Sequence, residues 1–141
     1  MTLLVAALAG LAVQAAEPNW TWSLYDTEGP VVLANDVPDT ARLRATLECR
    51  RGSGVVRAAA YVVVASYGLG SLKAGSATAA TEIEQGRRGE MAATLRTDHP
   101  VFAAFVQSGR LTLAVGSNER DIEVPSAHIA KLRRFAELCG G

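Results

Sequence analysis

Two histidines, His99 and His128, are the residues of this chain best suited to acid–base chemistry near neutral pH. Imidazole gains or loses its proton in that range, and it is the commonest general base in enzymes. His99 precedes Pro100, where a short helix is expected to begin, and His128 lies in the first turn of the last predicted helix. No Gly-x-Ser-x-Gly nucleophile motif precedes either residue. The alternatives are therefore a small hydrolase using His99 or His128, or two ordinary residues at helix starts.

Two further motifs lack a residue that their chemistry requires. Asp26–Gly29 and Asp39–Ala41 are similar to the Asp-Thr-Gly/Ala loops of aspartic proteases, in which two carboxylates share a proton. Glu28 interrupts the first match, and Pro38 replaces the apolar residue expected before the second. The glycine-rich segment from Tyr67 to Gly75 lacks the Gly-Lys-Ser/Thr ending of a phosphate-binding loop. We expect turns at the first two motifs and a loop at the third.

The two cysteines, Cys49 and Cys139, are far apart in the chain and show no Cys-x-x-Cys spacing. Two cysteines and two separated histidines cannot build a four-ligand structural zinc site without carboxylates. We therefore predict no metal site and no cofactor. In an oxidising compartment the pair would form one disulfide, and that is the predicted state.

The first sixteen residues predict export to an oxidising compartment. Leu3 to Val13 is an apolar run of signal-peptide length, shorter than the roughly 20 residues that span a bilayer. Small residues then favour cleavage near Ala15 or Ala16. We predict a signal peptide over residues 1–16 and one exported domain over residues 17–141, periplasmic or secreted, with no stable membrane span after cleavage. A buried N-terminal helix is the alternative, although an alanine-rich segment with Gly10 would pack poorly.

Composition argues against two classes of partner. The 141 residues include 14 Lys and Arg and 14 Asp and Glu, which gives a formal net charge of zero. Acidic and basic residues are interspersed, which argues against nucleic acid or an anionic membrane surface as the main partner. A chain of this length forms one domain.

The clearest local pattern runs from Arg42 to Arg50. Alternation places Leu43, Ala45, Leu47 and Cys49 on an inner face, and a Gly-containing hairpin over residues 51–54 returns the chain along Val55 to Val64. Pairing Arg50 with Val55 sets Glu48 opposite Arg57 and Leu47 opposite Ala58. The outer face then carries a cationic patch, which is the best candidate for a partner-binding face: Arg42, Arg44, Arg50, Arg57 and Tyr61. The alternative is a solvated sheet face.

The remaining patterns predict short strands and two helices. Trp20, Trp22 and Leu24 alternate toward the core, and residues 78–83 and 90–96 form another hairpin. Asp98 is expected to cap a short helix that begins near Pro100 and ends at Gly109. A turn at residues 117–120 would set Ile122 and Val124 opposite Val115 and Leu113. The last helix opens at Pro125-Ser126, and its apolar stripe includes Ile129, Leu132, Ala136 and Cys139.

These elements define the predicted fold. It is mainly β, an antiparallel sandwich or partly open barrel of about eight strands, with one short helix and a C-terminal helix. The inward Cys49 of a strand and the inward Cys139 of the last helix would meet across it.

Four segments together resemble a known kind of protein: the aromatic first strand, LRATLECRRGSGVV, FAAFVQSGRLTLAVG and the terminal HIAKLRRFAELCGG. They are similar to small exported alphaproteobacterial domains of unknown function that share a strand cysteine, a Gly-containing hairpin and a final helix ending in cysteine. A looser similarity is to the type VI secretion-associated TagO/VasI-like exported domain. The resemblance implies a periplasmic β-rich domain and supplies no catalytic residue.

The sequence therefore favours an exported binding or structural domain without catalytic activity, which contacts a protein or another component of the cell envelope. The small periplasmic hydrolase using His99 or His128 is the alternative. A fold that brings one of these rings beside a serine or carboxylate would favour the enzyme.

Overall fold

The computed structural model describes residues 19–140, so the signal peptide predicted over residues 1–16 lies outside the described residues. Antiparallel strands are the predominant secondary structure, as the sequence predicts. The strands are β1 (Thr21–Tyr25), β2 (Val31–Asp36), β3 (Leu43–Cys49), β4 (Val55–Ala60), β5 (Gly68–Ala74), β6 (Ala77–Gln85), β7 (Met91–Arg96), β8 (Arg110–Val115) and β9 (Asn118–Glu123). The helices are α1 (Pro100–Ser108) and α2 (Ile129–Cys139), with a 3₁₀ turn at Ser126–His128 before α2.

All nine strands belong to one sheet in the order β1-β2-β3-β4-β7-β6-β5-β8-β9. The sheet curls into a half-barrel, which confirms the partly open barrel rather than the sandwich. Helix α1 packs on β5, β6 and β8, and α2 packs on β1 and β2. Phe105 of α1 and Phe135 of α2 are fully buried in the single core that results. Strands β1 and β9 are the two ends of the sheet.

The predicted β3–β4 hairpin is confirmed in its register. Glu48 lies opposite Arg57 and Leu47 opposite Ala58. Ala45, Leu47 and Cys49 are buried on the inner face, as alternation requires. A one-residue slip would have turned these side chains outward, and this cost fixes the register.

Strand β5 corrects the loop that we predicted from Tyr67 to Gly75. It pairs along its length with β6, and its centre also pairs with β8. A Cβ at Gly70 would collide with the backbone carbonyl oxygen of Ala114 on β8. The glycine that suggested a loop is therefore needed for two strands to approach closely in the sheet.

The predicted turn over residues 117–120 is wrong. The chain reverses at Gly116 and Ser117 alone, because Gly116 adopts a left-handed φ of 58° that a two-residue hairpin loop needs. Val115 therefore pairs with Asn118 and Leu113 with Arg120, not with the apolar residues further along. In this register Arg110 lies opposite Glu123.

The short helix α1 forms where predicted, but its cap is His99 and not Asp98. The Nδ1 of His99 accepts a hydrogen bond from the backbone N–H of Val101 at 3.0 Å, which satisfies one free donor of the first turn. Asp98 instead forms an ion pair with Arg96 at 2.8 Å. The helix ends at Gly109, which has a left-handed φ of 77°.

The disulfide between Cys49 and Cys139 is confirmed and joins β3 to the end of α2. The β3–β4 hairpin supports the same helix end. The N–H groups of Gly52 and Gly54 donate to the carbonyl oxygens of Leu138 and Cys139 at 2.9 and 2.8 Å. The last carbonyls of a helix lack partners within it, so the hairpin serves as the cap of α2.

The turn between β6 and β7 is built around a buried carboxylate. Glu90 is only 5% exposed; its oxygens accept from the backbone N–H of Arg88 at 2.9 Å and from Arg57 Nη2 at 3.3 Å. Burial opposes ionisation, but the hydrogen bonds from the Glu90 and Arg88 backbone and the Arg57 guanidinium outweigh it. The pKa of Glu90 is therefore lowered.

Replacing this carboxylate should weaken the fold in a pH-dependent way. We expect Glu90→Gln to lower the free energy of unfolding by about 2 kcal/mol at neutral pH, because hydrogen bonds to a charged acceptor are lost. A lowered folded-state pKa stabilises the protein above the unfolded-state value, and this contribution disappears as the pH falls through the folded-state pKa. Urea unfolding of both proteins from neutral to acid pH measures the difference. A gap that stays constant down to pH values below the folded-state pKa would contradict this account.

Candidate functional site

The curl of the sheet leaves a cleft of about 600 Å³ between its two ends. One wall comes from β1, β2 and β3, and the other comes from β8, β9 and the segment leading into α2. The lining residues are Trp20, Thr21, Trp22, Asn35, Arg44, Ala45, Arg110, Asp121, Ile122, Glu123, Pro125 and His128. We call this the edge cleft. Its volume lies in the range of about 300–1,000 Å³ typical of small-ligand sites.

Arg44 and Trp20 form the most distinctive feature of the first wall. The Arg44 guanidinium carbon lies 4.0 Å from the centre of a Trp20 ring, a cation–π contact. No carboxylate among residues 19–140 lies within ion-pairing distance of Arg44. The aromatic ring therefore holds a guanidinium in place while its hydrogen-bonding edge stays available to a ligand.

A register shift explains why Arg44 lies in the cleft. Asn35 pairs with Ala45, and the next residue of β2, Asp36, pairs with Leu43, so Arg44 is an extra residue in β3. Such an irregularity re-aims a side chain at the rim of a barrel. Arg44 and Ala45 consequently both line the cleft, although strict alternation would place them on opposite faces.

The second wall carries an excess of negative charge. Arg110 Nη2 contacts Asp121 Oδ2 at 3.0 Å and Glu123 Oε1 at 2.7 Å. Thr112 Oγ1 donates to Asp121 Oδ1 at 2.6 Å and fixes that carboxylate. One guanidinium thus faces two carboxylates, and the group keeps one net negative charge. Sequence reasoning missed these residues because the β8–β9 turn was misplaced.

Trp22 forms the inner part of the cleft. It is 3% exposed, which agrees with its predicted core position, whereas Trp20 is half-buried at the rim. The Nζ of Lys131 on α2 donates to the backbone carbonyl oxygen of Trp22 at 2.6 Å. The last helix therefore fixes the position of the strand that carries both tryptophans.

The two histidines have different surroundings. His128 lines the edge cleft, and its side chain makes no capping hydrogen bond at the start of α2. His99 lies elsewhere, at the start of α1, and its Nδ1 accepts the backbone hydrogen bond described above. The structure therefore brings only His128 together with Arg44.

The residues of the predicted cationic patch lie in different surroundings. Arg57 is paired with Glu90, and Arg50 and Arg57 line the same depression of about 370 Å³ together with Glu48. Arg42 is exposed beside the turn at residues 37–40, and its N–H donates to Thr40 Oγ1 at 3.2 Å. Tyr61 is half-buried, and its backbone N–H donates to the carbonyl oxygen of Arg44. Of this set, only Arg44 lines the edge cleft.

Within residues 19–140, no three His, Cys, Asp or Glu side chains are grouped closely enough to hold a metal ion. In the same part of the chain, no helix is long and apolar enough to cross a membrane.

Comparison of the chain with protein-family models, curated proteins and solved structures gives no match. The resemblance to exported alphaproteobacterial domains and to the TagO/VasI-like domain therefore stays a prediction. The class that the geometry itself defines is a disulfide-linked antiparallel half-barrel with a cleft between its two end strands.

Proposed function

We propose that this protein is an exported, periplasmic or secreted, binding domain that contacts a protein or another component of the cell envelope through the edge cleft. The Cys49–Cys139 disulfide supports this location, because such bonds form and persist in oxidising compartments. The predicted leader over residues 1–16 supports it independently from the sequence.

The observation that carries the proposal is the Arg44–Trp20 pair in a cleft of ligand size. A guanidinium already positioned on an aromatic ring loses less side-chain freedom when a ligand binds. Arginine and tryptophan are also the residue types that most often dominate binding energy at interfaces. A partner with a negatively charged group would therefore be recognised at this wall.

The predicted cationic patch would extend the same binding surface beyond the edge cleft. Arg42 and Arg50 are exposed and would add long-range attraction for an acidic partner. Arg57 is already compensated by Glu90, so it contributes less. Comparing partner recovery by charge-reversal variants at Arg44 and at Arg42 separates recognition in the edge cleft from attraction by the whole cationic patch.

We expect Arg44→Glu to reduce partner recovery by tenfold or more, because the charge reversal replaces attraction for a negatively charged group in the cleft by repulsion. The measurement is capture from periplasmic extract on the immobilised protein, quantified by mass spectrometry against the wild type. Arg42→Glu is the matched control, and its effect should be small and should vanish in high salt. Equal recovery by wild type and Arg44→Glu would rule out the cleft as the binding site.

The hydrolase remains the second candidate, and the position of His128 in the edge cleft is what favours it. It requires that the ring activate a serine or water near the bound substrate. Activity on ester or amide substrates that His128→Ala abolishes and His99→Ala leaves intact would establish this reading over the binding domain.

A further inference from the structure

From the two walls of the edge cleft we infer the chemical class of its ligand: a short peptide with a free amino group and a free carboxylate. This inference rests on the edge cleft being the binding site proposed above. It adds which charged groups the ligand must present and which wall holds each of them.

The first step is the charge on each wall. Arg44 supplies a positive charge beside Trp20, with no carboxylate partner among residues 19–140. On the other wall, Arg110 is shared by Asp121 and Glu123, which leaves one negative charge uncompensated. His128 is the remaining titratable residue of the lining. A ligand complementary to both walls is a zwitterion.

The second step is how each wall would hold its group. A guanidinium binds a carboxylate through two parallel N–H···O hydrogen bonds, and stacking on Trp20 fixes the plane in which they form. An ammonium needs acceptors, and Glu123 offers its carboxylate with a side chain that is 60% exposed. Asp121 is held by both Thr112 and Arg110, whereas Glu123 contacts Arg110 alone, at 2.7 Å, so Glu123 has fewer contacts to give up when it reaches a ligand.

The third step is why the ligand is a peptide. The cleft lies between β1 and β9, which are the two strands without a second neighbour in the sheet. The carbonyl oxygen of Trp22 on β1 already accepts from Lys131. Other backbone N–H and C=O groups on the open side of an edge strand can pair with an extended chain. A volume of about 600 Å³ admits a ligand of a few residues.

The chain carries its own reporters for the test, because its two tryptophans both line the edge cleft. Titration with an alanine tripeptide bearing free ends should give a saturable change in tryptophan fluorescence. Acetylating the amino end or amidating the carboxyl end should each weaken binding roughly tenfold or more, the loss expected when a hydrogen bond between charged groups disappears.

Variants assign each end to a wall. In Arg44→Gln, amidation of the peptide should have no further effect while acetylation still weakens binding. In Glu123→Gln, acetylation of the peptide should have no further effect while amidation still weakens binding. Arg133→Gln, at an exposed arginine of α2 outside the cleft, should titrate like the wild type. Unfolding curves measured in parallel show that each variant is folded.

Two results would overturn the inference. One is equal affinity for free and blocked peptides, and the other is no saturable fluorescence change up to about 10 mM peptide. If either occurs while partner capture still depends on Arg44, the proposed function stands and only the ligand class is wrong. If capture is also independent of Arg44, both proposals fail.

Discussion

Removal of the disulfide by Cys49→Ala and Cys139→Ala together should lower the free energy of unfolding by about 4 kcal/mol. The bond joins residues 90 positions apart, so it closes a long loop and restricts the unfolded chain strongly. Both residues are buried, and paired replacement by alanine avoids leaving a polar group in the core. Urea denaturation of the oxidised wild type and the double variant measures the change.

The control is the wild-type protein unfolded in the presence of a thiol reductant, which should match the double variant. The hydrogen bonds from Gly52 and Gly54 to the end of α2 do not depend on the sulfur atoms, so the variant should still fold at low temperature. A loss of less than about 1 kcal/mol would show that the hairpin alone holds the helix end. Intact mass under non-reducing conditions reports the cysteine pairing, and it also tests whether the leader predicted over residues 1–16 is removed.

The parts of the fold that were predictable are those in which local pattern and tertiary burial agree. The alternation of arginine with apolar residues over β3 fixed its inner face, because burying arginine is costly. The hairpin that follows then had one register compatible with a buried Leu47. The disulfide followed from the same logic, since both cysteines lie on apolar faces.

Glycine produced two of the errors, since one residue type serves two purposes. Gly70 permits close approach of β5 to β8 within the sheet, yet in a sequence it favours a loop. Gly116 makes a tighter turn than the polar residues after it suggested. At Gly70 the deciding contact is with β8, a strand distant along the chain. At Gly116 the deciding feature is the left-handed backbone conformation of one residue. Composition reveals neither.

The edge cleft was not predictable from local pattern. Its walls come from the strands at the two ends of the sheet, β1 to β3 and β8 to β9, and only the curl of the whole sheet brings them together. Arg44 was identified as a binding candidate. That it is an extra residue in β3, and therefore turns toward Trp20, appears only in the pairing with β2. The opposite wall depended on the register of Arg110 with Glu123, which follows from the Gly116 turn.

Phe135→Ala should lower the free energy of unfolding by about 3–5 kcal/mol, because it removes a fully buried aromatic ring and leaves a cavity. Phe135 lies on the face of α2 that also buries Leu132 and Leu138. The same helix positions β1 through the hydrogen bond from Lys131 to Trp22, so the substitution should also change the environment of the tryptophans in the edge cleft. Denaturant unfolding measures the stability, and tryptophan fluorescence of the folded variant measures the effect on the cleft.

Arg133→Ala is the matched control, since Arg133 lies on the exposed face of the same helix. It should change stability by less than about 0.5 kcal/mol and leave the fluorescence unchanged. A Phe135→Ala variant with near wild-type stability would mean that the disulfide and the hydrogen bonds from Gly52 and Gly54 keep α2 in place without this ring. If that variant is destabilised but its fluorescence in native buffer is unaltered, the helix is part of the core without shaping the cleft.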